Sequence, residues 1–271
     1  MRAYLIQPPY SMNYADIDAC FNTLIKLLDK CDDSADIIVL PEYSDVLSAT
    51  PSGKTFIEMI EKYSPIIEKK VIETAIRCKA TIFANFAYKT ENGYRNTTHV
   101  FDKTGNVVGR YFKHHPAPSE LKNPQIDTAY AENQTDFYTL DLDGLRYGFR
   151  TCYDFYFYED AVNMARKNLD IIIGCSYQRT DTHDALEIMN RHLAYNTNAF
   201  ILRSSISLGK KSKVCGCTMA VAPNGKILKN LKNKVGILKI DFDPKDKYFK
   251  PSGFNGAPKS HYEYVDEGRK K

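Results

Sequence analysis

An α/β chain with mixed sheets and helices on their outer faces is the fold class that this 271-residue sequence predicts. Three observations carry it. The runs Asp36-Ile37-Ile38-Val39-Leu40 and Thr81-Ile82-Phe83-Ala84-Asn85-Phe86-Ala87 are apolar without alternation, so they read as strands covered on both faces. Helix-spaced segments fall between such runs. Tight-turn signals interleave antiparallel hairpins with these crossovers. Two sheets packed face to face, each covered by helices, use all the pieces.

In chain order, Asp16 to Leu28 carries Ile17, Phe21, Leu24, Ile25 and Leu28 at helical spacing. The Asp36 run follows and stops at Pro41. Thr55 to Lys79 reads as a helix with a break expected near Pro65, because proline removes an N–H donor and clashes with the preceding turn. The Thr81 run comes next. Thr98 to Asp102 and Val107 to Phe112 form a hairpin around Lys103-Thr104-Gly105-Asn106, and Phe137 to Leu142 and Leu145 to Phe149 form another around Asp143-Gly144. Glu159 to Lys167 and Thr182 to Asn196 read as helices, each followed by a strand, Asp170 to Gly174 and Ala199 to Ser205. Cys217 to Ala222 and Ile227 to Leu231 flank Pro223-Asn224-Gly225, and Gly236 to Phe242 is the last strand. No repeat or linker divides the chain, so residues 1–271 read as one domain, with 243–271 as an extended C-terminal arm within it.

Composition narrows the function. Hydrophobic residues make up 43% and charged residues 26%, which suits a globular protein with an ordinary core. The net charge of +4 is small and spread out, so no nucleic-acid partner is indicated. The clusters Lys210-Lys211-Ser212-Lys213 and Arg269-Lys270-Lys271 read as solvated loop and tail. No apolar run approaches the roughly 20 residues of a membrane span, and the N-terminal stretch lacks a charged start followed by a long apolar run, so neither a membrane nor an export signal is expected. Seven cysteines without a CxxC pair or zinc-like histidine spacing suggest reduced thiols in the cytoplasm. In that compartment the sequons Asn96-Thr97-Thr98 and Asn133-Gln134-Thr135 carry no meaning.

Three residues at strand ends have chemistry to offer. Cys152 lies where a strand gives way to a helix, a turn that exposes a nucleophile beside backbone N–H groups; the alternative is a buried core thiol. Glu42 follows Leu40-Pro41 at the sheet rim, where partial burial raises a carboxylate pKa and suits it to proton transfer; the alternative is a solvated loop residue. Lys113 closes Val107 to Phe112 and, as a fixed cation, favours a thiolate or an oxyanion; the alternative is a surface lysine.

The order Leu40-Pro41-Glu42, then Tyr111-Phe112-Lys113-His114-His115, then Cys152-Tyr153-Asp154 resembles the carbon–nitrogen hydrolase (nitrilase) superfamily. Met1 to Pro8 resembles its first strand, Gly216 to Gly225 its late G-x-S-x-hydrophobic-x-x-P-x-G segment, and His192 to Asn196 falls where its Arg-Ala-x-Glu-Asn helix is usual. The resemblance implies a four-layer α-β-β-α sandwich with two mixed sheets and a catalytic triad of Glu42, Lys113 and Cys152. It also implies a second active-site glutamate, Glu120 or failing that Glu132, and a supporting or structural role for His115. No metal or cofactor is implied. A homodimer or larger homo-oligomer is.

The implied reaction is hydrolysis of a small amide or ureido compound through a Cys152 thioester, with Lys113 and the Tyr153 N–H holding the oxyanion. Cys152-Tyr153-Asp154 looks more like amidases and carbamoyl hydrolases than nitrilases. Two departures matter. Tyr195 stands where the family helix commonly has Glu, and Tyr156-Phe157-Tyr158-Glu159 replaces the usual Arg-Phe-Pro-Glu, which removes an arginine clamp for a carboxylate. Phe155 and Tyr156 then become candidate aromatic walls for the acyl group, unless they pack a helix or subunit face. Tyr177 and Arg179 are further substrate-binding candidates, Arg179 as an anion contact or as a surface residue. Nitrile hydrolysis, acyl transfer to an amine and a non-catalytic scaffold remain alternatives on the same fold.

Overall fold

The computed structural model describes residues 1–133 and 137–248. Its first sheet comprises β1 (Arg2–Gln7), β2 (Ile37–Val39), β3 (Thr81–Thr90), β4 (Gly93–Phe101), β5 (Val107–Phe112) and β12 (Gly236–Asp241), in the order β12-β1-β2-β3-β4-β5. The second comprises β6 (Thr139–Leu142), β7 (Leu145–Thr151), β8 (Ile171–Cys175), β9 (Phe200–Ser204), β10 (Met219–Val221) and β11 (Ile227–Asn230), in the order β11-β10-β9-β8-β7-β6. Each sheet has a parallel trio, β1-β2-β3 or β7-β8-β9, flanked by antiparallel neighbours. Both are mixed, as the sequence predicts.

Strand alternation explains the continuous apolar runs. Ala3, Leu5, Ile37, Val39 and Phe83 meet Tyr147, Phe149, Ile171, Ile173 and Leu202 in a core between the sheets. The intervening Tyr4, Ile6, Ile38 and Ile82 face α1 (Ile17–Asp29) and α2 (Gly53–Cys78) on the outside of the first sheet. Ile172, Ile201 and Met219 face α4 (Tyr158–Ala165) and α5 (His183–Thr197) on the outside of the second. Because both faces of each sheet are covered, both registers of a strand are apolar. The result is the α-β-β-α sandwich.

Two expectations are corrected. α2 runs unbroken through Pro65. Pro65 and Glu61 lie on the exposed side, so the carbonyl that loses its helical partner faces water, while Ile57, Ile60, Tyr63, Ile67 and Val71 keep the opposite side buried across the proline. The hairpin strand expected from Thr98 begins earlier, at Gly93, and pairs with β3 from Thr90↔Gly93 to Ile82↔Phe101. Asn92-Gly93 at that turn is itself a hairpin signal, overlooked because Asn96-Thr97-Thr98 interrupts the apolar pattern.

Of the expected C-terminal arm, 249–271 lie outside the described residues. Its first residues lie on the body of the domain: Lys247 Nζ donates to Leu169 O at 2.6 Å, and Tyr248 N to Asn198 Oδ1 at 2.8 Å.

Candidate active site

Strand direction gathers the site. β5 is antiparallel to β4, and β4 to β3, so β5 runs with β2 and their carboxyl ends share one rim. Glu42 lies three residues beyond β2, Lys113 one residue beyond β5, and Asn96 near the start of β4 at that same rim. Cys152 directly follows β7 in the facing sheet.

Glu42, Lys113 and Glu120 are buried, with relative exposures of 1%, 2% and 6%. Lys113 Nζ donates to Glu42 Oε1 at 2.8 Å and to Glu120 Oε2 at 2.7 Å. Asn96 Nδ2 spans the same two carboxylates, donating to Glu42 Oε1 and Glu120 Oε1, each at 2.8 Å. Asn96 is oriented by Asn85, whose Nδ2 donates to Asn96 Oδ1 at 2.9 Å and whose Oδ1 accepts the Tyr43 N–H at 2.9 Å. Glu120 sits in the short α3 (Pro118–Leu121); it accepts from the Tyr43 hydroxyl at 2.8 Å and caps its own turn by accepting the Ala117 N–H at 2.6 Å. Glu42 Oε2 is buried and accepts no hydrogen bond among the described residues.

These contacts separate the two carboxylates electrostatically. Burial raises the Glu42 pKa, and Lys113 offsets only part of that rise. Burial acts in the same direction on Glu120, but Lys113, Asn96 and the Ala117 N–H outweigh it and hold the group below the ordinary value. Burial alone would discharge Lys113; Glu120 and Glu42 instead keep its ammonium well above its usual range. Burial and then Glu42 push the Cys152 thiol up, with Lys113 in opposition. A protonated thiol thus sits near an ionised carboxylate of heightened basicity and a permanent cation.

Cys152 has φ 47°, a left-handed conformation that side chains rarely adopt, and Tyr43 beside Glu42 has φ 46°. Strain of this kind persists where surroundings over-determine it, and it clusters at functional sites. At Cys152 the constraint is Asp154, whose Oδ2 accepts the Thr151 N–H at 2.8 Å and the Tyr111 hydroxyl at 2.8 Å. The Asp154 Oδ1 accepts the His115 N–H at 2.7 Å. His115 also stacks on Phe157 at 3.7 Å, and its Nδ1 lies 3.2 Å from both Asp154 and Asp160. It therefore braces the turn beneath Cys152 and does not line the cleft. His114, His115 and Asp160 lie close enough to hold an ion, but Arg150 already pairs with Asp160.

Glu42, Lys113, Glu120 and Cys152 open onto one cleft of about 1160 Å³, with Tyr153, Tyr156, Tyr177 and Arg179 also in its wall. Phe155 corrects the sequence-based expectation. It packs against Gly174 and the outer core of the second sheet. Residues 152–156 form a 3-10 turn, in which positions three apart share a side, so Tyr153 and Tyr156 face the cleft together and Phe155 turns away. Glu132, the runner-up to Glu120, is exposed and does not line the cleft. Asn85, Asn96 and Tyr43 were not anticipated. An asparagine inside an otherwise apolar strand, as at Asn85, was the available signal, since buried amides need partners.

The chain belongs to the carbon–nitrogen hydrolase family, whose model matches residues 2–247. Among curated proteins, it is 24% identical over 213 residues to a hydrolase in the agr operon of Staphylococcus lugdunensis, covering 77% of this chain and 87% of that protein. It is likewise 24% identical over 229 residues to a hydrolase of Schizosaccharomyces pombe, covering 81% and 70%. Among solved structures, an amidase from Nesterenkonia sp. AN1 superposes with a TM-score of 0.70 at 14% identity, covering 90% and 91%. Nit3 of Saccharomyces cerevisiae, a member of branch 10 of the nitrilase superfamily, gives 0.71 at 19% identity, covering 90% of each chain. These likenesses to solved structures establish the shared fold.

Because Glu42 is held above the ordinary carboxylate range, its charged form is lost as pH falls through that raised value. Activity that needs the carboxylate should fade at a higher pH than for an exposed glutamate. Asn96→Ala removes a donor that favours the charged form, so the acid limb of kcat/KM should move to still higher pH, with a loss of about 10- to 100-fold at pH 7. An unchanged acid limb would show that Asn96 does not set the state of Glu42.

Proposed function

We propose that the protein hydrolyses a non-peptide C–N bond of a small amide or ureido compound through a Cys152 thioester. The observation that carries this reading is the buried Lys113 ammonium bonded to both Glu42 and Glu120, beside the Cys152 thiol in a substrate-sized cleft. Glu42 takes the thiol proton as Sγ attacks the carbonyl. Lys113 and the N–H of Tyr153 hold the oxyanion. Glu42 then passes the proton to the leaving amine, which departs as ammonia or a free amine. It next activates a water that hydrolyses the thioester, releasing the acid and restoring the thiol. Glu120 keeps Lys113 charged and in place. That the Nesterenkonia amidase carries acrylamide added to its active-site cysteine supports a thiol-based amide chemistry on this fold.

Free thiols at all seven cysteines support a reducing compartment, the cytoplasm, and no helix among the described residues is long and apolar enough to cross a membrane. A homo-oligomer is supported by Tyr156, Tyr158, Ile188 and Tyr195, large side chains left exposed on or beside α4 and α5. Light scattering should then give at least twice the mass of one chain; a monomer at all concentrations rejects the assembly.

Cys152→Ala should abolish ammonia release from amides and ureas, and Glu42→Gln should lower kcat/KM by about 1000-fold or more, since one carboxylate serves both half-reactions. Normal turnover in Cys152→Ala would reject the scheme.

A further inference from the structure

Arg179 is a cation in the cleft wall without an acidic partner. It is partly buried, and no carboxylate among the described residues lies within ion-pair distance of it. Asp181, two residues along, is already engaged by the Tyr156 hydroxyl and by Gln178 Nε2. The guanidinium is nonetheless fixed: NH1 donates to the Tyr10 hydroxyl at 2.9 Å, and the group lies over the rings of Tyr10 and Tyr177, 5.5 and 5.1 Å from their centroids. Those rings meet edge to face at 5.0 Å. A guanidinium carries five N–H donors in a rigid fork, and here one has a protein partner. Holding a partly desolvated cation in place with a single neutral acceptor is costly unless an anion completes it.

The cleft favours such an anion. Glu42 and Glu120 are its two carboxylates, and both are bound to Lys113. The remaining charged lining residues, Lys54, Lys122 and Arg179, are all cations. Arg179 also lies near enough to Cys152 to feel its charge, so a group bound to the fork sits a short spacer from the reacting carbon.

We propose that Arg179, held by Tyr10 and Tyr177, binds a substrate carboxylate, so that the compound cleaved is an amide or ureido acid with its carboxylate a few bonds from the scissile carbonyl. This deepens the hydrolase reading and rests on it. The clamp comes from the loop after β8, not from the stretch following Cys152, where tyrosine and phenylalanine stand. Arg179 is a specificity-determining residue: it fixes the end of the substrate remote from the bond broken.

Calorimetric titration of Cys152→Ala with succinamate, glutaramate and N-carbamoylglycine, each against its neutral methyl ester, tests the subsite without turnover. At least one acid should bind about 10- to 100-fold more tightly than its ester. Adding Arg179→Gln should collapse that ratio to near one, and Arg179→Lys should keep part of it because the charge remains while the fork is lost. Equal affinity of acids and esters, no binding of any acid, or a ratio that survives Arg179→Gln overturns the proposal. Turnover of the same compounds by the unsubstituted enzyme, lost in Cys152→Ala, judges the hydrolase reading separately: a Cys152-dependent enzyme indifferent to the carboxylate keeps the reaction and loses the clamp.

Discussion

The site is organised around one buried ammonium ion. Lys113 sits between Glu42 and Glu120, and each of the three depends on the others to remain charged away from water. Losing one partner of a buried pair typically costs about 3–5 kcal/mol, because the charge left behind has nothing to offset its desolvation. Asn96 closes the group by donating to both carboxylates. One cation shared by two acids also divides their roles. Glu120, with the larger set of donors, is held ionised and serves as an anchor; Glu42, with one oxygen free of protein partners, keeps a raised pKa and the capacity to carry a proton.

The fold makes that grouping possible by bringing rims of two sheets together. Sheet one supplies the acid, the cation and the asparagines; sheet two supplies the thiol. Neither half could hold the thiol against the carboxylate alone. The strained turn at Cys152 is maintained by Asp154, which is in turn fixed by Tyr111 and His115 from the first sheet's side. Packing between the sheets and geometry at the site are therefore the same constraint expressed at two scales.

Much of this was legible in the sequence. Uninterrupted apolar runs such as Ile37-Ile38-Val39 announce strands buried on both faces, and two such faces need a four-layer arrangement. Glu42, Lys113 and Cys152 were legible by position, each at the end of a strand, and in combination by their order along the chain. The amide network was not. Asn85 and Asn96 act through pairing of β3 with β4, a long-range register that local pattern does not specify, and Asn96 lies in a sequon that drew attention to the wrong chemistry. Phe155 was misassigned because neighbours in sequence were taken to share a side, which a 3-10 turn forbids. Pro65 shows the converse: a strong local breaker is overridden when its lost hydrogen bond faces water and the opposite helix face stays packed.

The proposed thioester is the claim on which the chemistry turns, and it leaves a physical trace. Peptide mapping by mass spectrometry of enzyme acid-quenched during amide turnover should find the acyl group on the peptide bearing Cys152, and hydroxylamine should release it. Sustained turnover with Cys152 unmodified, or an acyl group mapped to another residue, would contradict the account.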